Sequence, residues 1–388
     1  MGGHLLVDSL RTHGVDMVFG VPGESYLAVL DGLQDANSIK TIMCRQEGGS
    51  AMMAEAYGKL TGKPGVCLVT RGPGATNASA GIHIAMQDST PLVMLVGQVG
   101  REMMDREAFQ EIDYRRMYGE LTKWVAQIED TSRIPEYISR AFHTATSGRP
   151  GPVVLALPED MLTEYADTKV INSYQKIEAY PSPADLAQVE EMLSKSKAPL
   201  MIVGGGGWDE ASCQKIQDFA EKNHLPVGCS FRCQDYFDNR HPNYVGHIGI
   251  GLSTSLQDRI INSDLLVVIG ARLGEVTTSG YSLLDIPRPK QQLIHIHSGA
   301  EELGSVYQAD LPINASPRSF AEAISQLEIA GSEKWASNTK QGNDDYLETL
   351  IPKAIPGDVQ MAEIACWLNE ILPEDAIVCN GAGNYATW

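Results

Sequence analysis

Apolar positions along the first 160 residues fall into two alternating patterns. Stretches with helical spacing, such as "LLVDSLRTHG" (5–14) and "SYLAVLDGLQD" (25–35), are separated by short unbroken apolar runs. The runs are "DMVFGV" (16–21), "KTIMC" (40–44), "GVCLVT" (65–70), "PLVMLVGQ" (91–98) and "PVVLALPED" (152–160). A strand exposed on one face would alternate apolar and polar residues. Unbroken runs suit a parallel sheet covered by helices on both faces. Further helices are expected after Glu47, over "NASAGIHIAMQDS" (77–89) with Asn77 as a cap, and over "IPEYISRAFHTATSG" (134–148).

The same rhythm returns later. "PLMIVGGGG" (199–207), "PVGCS" (226–230), "LLVVIGA" (265–271) and "QLIHIHS" (292–298) read as strands. "ASCQKIQDFAEKNH" (211–224) and "STSLQDRIINS" (253–263) read as helices between them. Residues 161–184 and 331–356 are polar and irregular, which predicts two linkers. Beyond them "VQMAEIACWLNEIL" (359–372) predicts a helix, "AIVCN" (376–380) a strand and "GAGNYATW" (381–388) a glycine turn. One helix and one strand cannot bury their own apolar faces. The expected fold is therefore α/β: two complete doubly wound parallel-sheet domains, 1–165 and 185–330, plus the start of a third, 357–388.

Composition narrows the function. The formal net charge is −19, which disfavours binding to a phosphate backbone, so no nucleic-acid partner is expected. No apolar run is long enough to span a bilayer, and "MGGHLLVDSLRTHG" (1–14) is an amphipathic segment without the regions of a signal peptide. No membrane partner and a cytoplasmic location are expected. The seven cysteines are scattered, and Cys229 and Cys233 alone are close, so buried reduced thiols are the expected state.

Four stretches carry candidate chemistry. Glu47 follows an apolar run and opens a helix rich in small residues (Gly48, Gly49, Ser50, Ala51, Ala54, Ala56, Gly58). An acidic residue in a first helical turn is favoured by the macrodipole alone. However, parallel sheets place functional groups at the carboxyl ends of strands, which is where Glu47 falls. "RGPGATNAS" (71–79) is either a tight turn into a helix or a backbone cradle for a flat or anionic ligand. "VGGGGWDE" (203–210) lacks the spacing of a dinucleotide fingerprint and reads as a glycine turn into a helix. "EAFQEID" (107–113) lies in a long connection, either a surface loop or a functional one.

Taken in order, "VFGVPGESYL", "RQEGGSAMMAEAYGKLTGKPGVCLVTRGPGATN", "PLVMLVGQV", "EAFQEID", "LTKW", "GRPGPVVLALPED" and "SDLLVVIGARLGE" resemble the thiamine-diphosphate enzymes, in their acetolactate synthase large-subunit branch. The resemblance implies a transferase or lyase: a carboligase or decarboxylase acting on a 2-keto acid. It implies thiamine diphosphate and Mg²⁺ as cofactors. Glu47 matches the glutamate that bonds the pyrimidine nitrogen and favours the imino form of the ring. Pro22, Gly23 and Glu24 match a loop that approaches the cofactor, and Pro73, Gly74 and Asn77 a loop beside the pyrimidine. Phe109 and Gln110 match the pair lining the reacting centre across a subunit interface, and Lys123 a lysine near the substrate entrance. Glu47 and Gln110 are thus the catalytic candidates, and Phe109, Gln110 and Lys123 the substrate candidates. The family's three domains (pyrimidine-binding, central and diphosphate-binding) work as a homodimer or homotetramer, with the site shared between chains.

The chain departs from that pattern in places. The central segment reads "ARLGEVTTSG" (271–280) where FAD-binding members carry a second arginine, "GHIGIG" (246–251) replaces a Met-His-Gly segment, and "IHIHSGAEELG" (294–304) stands where they carry acidic residues after the strand. FAD therefore stays open, as do the donor and acceptor substrates. The Gly-Asp-Gly…Asn motif that binds Mg²⁺ and diphosphate has no match, since Gly357 and Asp358 are followed by Val359. The expectation is an incomplete enzyme, inactive as this chain alone. The alternative is a non-catalytic partner subunit that contributes the pyrimidine-side face to another chain. A plain nucleotide-binding α/β protein would explain the glycines but not the ordered set around Glu47.

Overall fold

The computed structural model describes residues 1–168, 171–381 and 383. Two compact units divide the chain: Met1–Ala179 with Gly206–Asp209, and Tyr180–Gly205 with Glu210–Trp388.

Unit 1 contains α1 (Gly2–Thr12), β1 (Met17–Gly20), α2 (Leu27–Asp35), β2 (Lys40–Met43), α3 (Glu47–Thr61), β3 (Gly65–Val69), α4 (Pro73–Asp88) and β4 (Leu92–Gln98). It continues through α5 (Tyr114–Tyr118), β5 (Trp124–Gln127), α6 (Ile134–Thr146), β6 (Pro152–Pro158) and α7 (Glu159–Thr163). The sheet order is β2-β1-β3-β4-β6-β5, and every pairing is parallel. Successive strand residues point to opposite faces, and each face is sealed. Val66, Leu68, Val93, Leu95, Val153 and Leu155 pack with α1, α2 and α6. Cys67, Val69, Met94, Val96, Val154 and Ala156 pack with α3, α4 and α5 on the other side. This is why the strands read as unbroken apolar runs.

Unit 2 contains α8 (Pro183–Lys195), β7 (Pro199–Val203), α9 (Glu210–Lys222), β8 (Val227–Ser230), β9 (Tyr244–Ile248), α10 (Thr254–Asn262) and β10 (Leu265–Ile269). It ends with β11 (Gln292–His297), β12 (Leu311–Asn314), α11 (Pro317–Ile324), α12 (Ala336–Thr349) and α13 (Met361–Ile371). Its sheet is also six-stranded and parallel, in the order β12-β11-β10-β7-β8-β9. The chain is thus an α/β protein with two six-stranded parallel sheets.

Several elements differ from the sequence reading. α4 begins at Pro73, not Asn77, so Asn77 lies inside the helix rather than capping it. Proline at the first helical position starts the helix early because its ring pre-sets φ. The first expected linker ends two residues early, where Ser182 and Asp185 form a capping box around Pro183. Most of the second is α12, a polar helix held by packing on β9 and α10 rather than by its own apolar pattern. Residues 376–380 form no strand: Ile377 and Val378 are exposed, with no neighbouring ladder to pair with. In "GAGNYATW", Ala382 and residues 384–388 lie outside the described residues. The buried-thiol expectation holds for Cys67, Cys229 and Cys233, whereas Cys366 and Cys379 are exposed.

Candidate functional site

Strand order locates a crevice in unit 1. The chain passes from β1 to β2 on one side and then returns to β3 on the other, so the loops after β1 and β3 diverge at this switch point. Ligands of such sheets bind outside the carboxyl ends of the strands at that position. The two loops are tied together at their roots. Ser25 Oγ lies 2.9 Å from Thr70 Oγ1 and accepts the Arg71 N–H at 3.3 Å. Gly23 packs on Thr70 so closely that a Cβ would fall 2.5 Å from the threonine Cβ. Pro22 and Glu24 are exposed beside it.

Glu47 stands at the rim, half-buried, as the first residue of α3. Gln46 caps that helix by accepting the Gly49 N–H at 2.7 Å. Asn77 Nδ2 donates to Glu47 Oε2 at 3.0 Å. Glu47 Oε1 lies 3.6 Å from where a Gly74 side chain would begin. Small residues bring these groups together. A Cβ on Gly48 would meet the Asn77 carbonyl at 3.0 Å, and one on Gly81 would meet the Ala51 Cβ at 2.5 Å. α3 and α4 therefore run nearly backbone to backbone, and their amino-terminal ends present Glu47 and Asn77 side by side. Gly48 on α3 belongs to this close packing, while Gly58 packs on the segment after α4, where a Cβ would fall 2.4 Å from the Pro91 carbonyl.

The wall behind Glu47 is neutral. Burial pushes the Cys67 thiol up to about 12, against an opposing hydrogen bond from Ser50, with Cys44 and Glu47 adding to the rise. Burial, then Cys67 and Glu47, raise the Tyr26 phenol well above its ordinary value. Both groups stay protonated at neutral pH.

The third wall is the loop 105–113. Gly72 takes a left-handed φ of +57°, and a Cβ there would strike Gln110 at 2.7 Å. The Gly72 N–H donates to the Tyr114 hydroxyl at 3.0 Å. Asp105, Glu107 and Gln110 all adopt positive φ, a sparsely populated conformation for non-glycine residues. Glu111 holds the loop by accepting the N–H groups of Asp105 and Ala108 at 2.7 and 3.1 Å. Phe109 projects outward, 78% exposed.

The structure thus brings Gly23, Glu47, Pro73, Gly74, Asn77 and Gln110 to one edge of the sheet, with Pro22, Glu24 and Phe109 on its rim. Lys123 is not brought there. It precedes β5 at the amino-terminal edge, and its ammonium donates to the Ser147 carbonyl. All strands run parallel, so this is the edge opposite Glu47. Sequence reasoning passed over Arg71 as a separate group. It opens "RGPGATNAS" and donates to Glu159 at 2.8 Å, joining the loop after β3 to the end of β6. The motif gave its position, but nothing local signals a partner 88 residues away.

Unit 2 has the same kind of switch point between β7 and β10. There the loops close on each other. A Cβ on Gly205 would fall 2.0 Å from the Gly270 carbonyl, and Tyr236 donates to the Gly205 carbonyl at 2.8 Å. α9 already carries Glu210 in its first turn, where a phosphate would sit, and Glu302 engages Arg272 at 3.2 Å. A carboxylate in that first turn would repel the diphosphate of a flavin nucleotide. Among the described residues, no group of three His, Cys, Asp or Glu side chains is placed to hold a metal ion. No helix among them is long and apolar enough to cross a membrane.

Two family models match the chain: the N-terminal TPP-binding domain of thiamine pyrophosphate enzymes over residues 1–117, and their central domain over residues 186–324. Similar proteins include an acetolactate synthase large subunit of Lactococcus lactis, 30% identical over 393 residues that span all of this chain and 68% of that protein. A large subunit from Corynebacterium glutamicum is 30% identical over 399 residues, all of this chain and 63% of its own length. Isozyme 2 of Escherichia coli is 29% identical over 388 residues, all of this chain and 69% of its own. The chain therefore spans about two thirds of these relatives. With both family models falling one on each sheet domain, and the relatives aligned from end to end, the chain belongs to the thiamine pyrophosphate enzyme family, beside the acetolactate synthase large subunits.

Proposed function

We propose that this chain is the pyrimidine-side and central part of a thiamine-diphosphate-dependent carboligase or decarboxylase of 2-keto acids. The observation that supports this most is the half-buried Glu47 carboxylate at the switch-point crevice, one oxygen held by Asn77 and the other beside Gly74. The glycines draw the surrounding loops together, Gly23 and Gly74 against Thr70 and Gly72 against Gln110, and one fixed acceptor carboxylate stands at their edge. When bound, thiamine diphosphate supplies the carbon nucleophile that attacks the keto acid.

The chain's own residues then have three tasks. Glu47 Oε1 would accept a hydrogen bond from the pyrimidine ring nitrogen in its protonated form, and so would favour the form of the ring that carries a proton there. Gly23, Gly72 and Gly74 let the loops after β1 and β3 and the loop 105–113 pack against one another around Glu47. Gln110, fixed against Gly72, and the exposed Phe109 line the route to the reacting centre. Mg²⁺ and the diphosphate are assigned to a diphosphate domain not found among residues 1–388, and the active form to a homo-oligomer. Lys123, on the opposite edge, is given no part in the site of its own chain.

Replacing Glu47 with Gln tests this. In the cofactor-loaded enzyme, exchange of the thiazolium C2 proton is expected to slow by roughly a hundredfold or more. Unchanged exchange would remove Glu47 from the mechanism. Residues 1–388 alone are expected to show no turnover of 2-keto acids, and measurable turnover would overturn that part. Restored turnover on adding a separate chain that carries a diphosphate domain would favour the partner-subunit reading.

A further inference from the structure

Resting on that reading of the site, we infer that Asn77 is a positioning residue for Glu47: it fixes which carboxylate oxygen faces the crevice and does not itself hold the cofactor. The chemistry of the pair allows one arrangement. An ionised carboxylate only accepts, so the asparagine must present its NH₂ group, as it does from Nδ2 to Oε2 at 3.0 Å. A hydrogen bond to a charged acceptor is also among the stronger ones a protein makes.

Both ends of the bond are anchored to backbone. Glu47 is the first residue of α3, whose start is fixed by Gln46 capping the Gly49 N–H at 2.7 Å. Asn77 is the fifth residue of α4, and its carbonyl sits against Gly48, where a Cβ would be 3.0 Å away. The two helices pack closely here, with room for no side chain at Gly48. The bond therefore holds the carboxylate plane still. Oε2 is used by Asn77, and Oε1 is left over Gly74, 3.6 Å from its missing Cβ. Without Asn77 the carboxylate rotates about its last torsion, and either oxygen, at any tilt, faces the crevice. A group that must accept one hydrogen bond from a fixed ring loses rate when its acceptor is not held in place.

Two readouts test this, one of them independent of catalysis. In residues 1–388, the Asn77 side-chain amide protons, assigned by their loss in Asn77→Ser, are expected to be shifted and slowed in exchange with solvent. Glu47→Ala is expected to remove both effects, and amide signals indifferent to Glu47→Ala would overturn the pairing. In the cofactor-loaded enzyme, Asn77→Ala and Asn77→Ser are expected to lower C2-proton exchange by about tenfold at saturating thiamine diphosphate, with its Kd changed by less than twofold. Asn77→Asp, which sets a second carboxylate against Glu47, is expected to lose more than Asn77→Ala. A raised Kd with normal exchange at saturation would make Asn77 a cofactor contact and sink the inference. Normal exchange in Glu47→Gln would instead overturn the reading of the site, while the amide signals would still report the pair.

Discussion

At the β1–β3 switch point, what meets the nearest loop glycine is a side chain: a Cβ on Gly23 would fall 2.5 Å from the Thr70 Cβ. At the β7–β10 switch point it is backbone, with a Cβ on Gly205 only 2.0 Å from the Gly270 carbonyl. Unit 1 sets an acceptor carboxylate on the rim, with neutral buried phenol and thiol groups behind it. Unit 2 pairs its acid with a base, Glu302 with Arg272 at 3.2 Å, and caps the Gly205 carbonyl with Tyr236. Two sheets of six parallel strands therefore make different use of the same topological position. The sheet supplies the position, and a few loop residues decide whether side chain or backbone meets there.

The difference can be broken most sharply at Gly205. This residue has a φ of +70° as well as the backbone contact. Gly205→Ala combines left-handed strain with an overpacked backbone and is expected to destabilise unit 2 by about 3–5 kcal/mol. Gly23→Ala, without positive φ and facing a side chain, is expected to cost unit 1 about 1–3 kcal/mol. Urea unfolding followed by probes in each unit would compare them. Equal losses would mean that the two switch points are packed alike.

Acid sharpens the same contrast. His295 on β11 is pushed down to about 4, mainly by burial, with the Ala271 carbonyl opposing and His297 adding to the fall. A base with a lowered folded value contributes stability that is complete above its unfolded value of about 6.5 and fades as pH falls. By pH 4 the loss is roughly 3 kcal/mol in unit 2. His295→Leu is expected to lessen the drop between pH 6.5 and pH 4 in unit 2 by roughly that amount, measured by denaturant midpoints at each pH, while the part due to His13 of unit 1, which burial also lowers, remains. An unchanged drop would place the acid sensitivity elsewhere.

The sequence carried most of the sheets and little of the long-range pairing. Unbroken runs such as "PLVMLVGQ" and "LLVVIGA" announced buried parallel strands, because every residue in them must be apolar once both faces are covered. Three of the four edge strands, β5, β9 and β12, were missed: they are four or five residues long, and β12 alternates buried with exposed positions. The polar α12 was missed for a related reason, since its stability lies in what it packs against. At the site, Glu47 and the glycine loops were visible as motifs. The bond from Asn77, 30 residues on, was hidden because the sequence places Asn77 at a helix start that actually lies four residues earlier.

The finest comparison lies on one helix. Glu47 and Glu55 both belong to α3, and each carboxylate accepts from a residue of the next segment. Glu55 is buried and takes the Thr90 hydroxyl at 2.8 Å, whereas Glu47 is half-buried and takes the amide of an exposed asparagine. Glu55→Ala leaves a buried hydroxyl without that acceptor and is expected to cost about 1–3 kcal/mol. Glu47→Ala loses a rim hydrogen bond and a favourable charge at a helix start, and is expected to cost about 0.5–1 kcal/mol. The order reverses for chemistry: Glu55→Ala should leave C2-proton exchange nearly intact once the protein is folded, while Glu47→Ala should remove it. A residue that the fold scarcely needs, held in one orientation by two closely packed helices, is what a functional carboxylate requires. Thermal denaturation of both variants checks this, and a Glu47→Ala cost equal to that of Glu55→Ala would make Glu47 a structural acid like its neighbour.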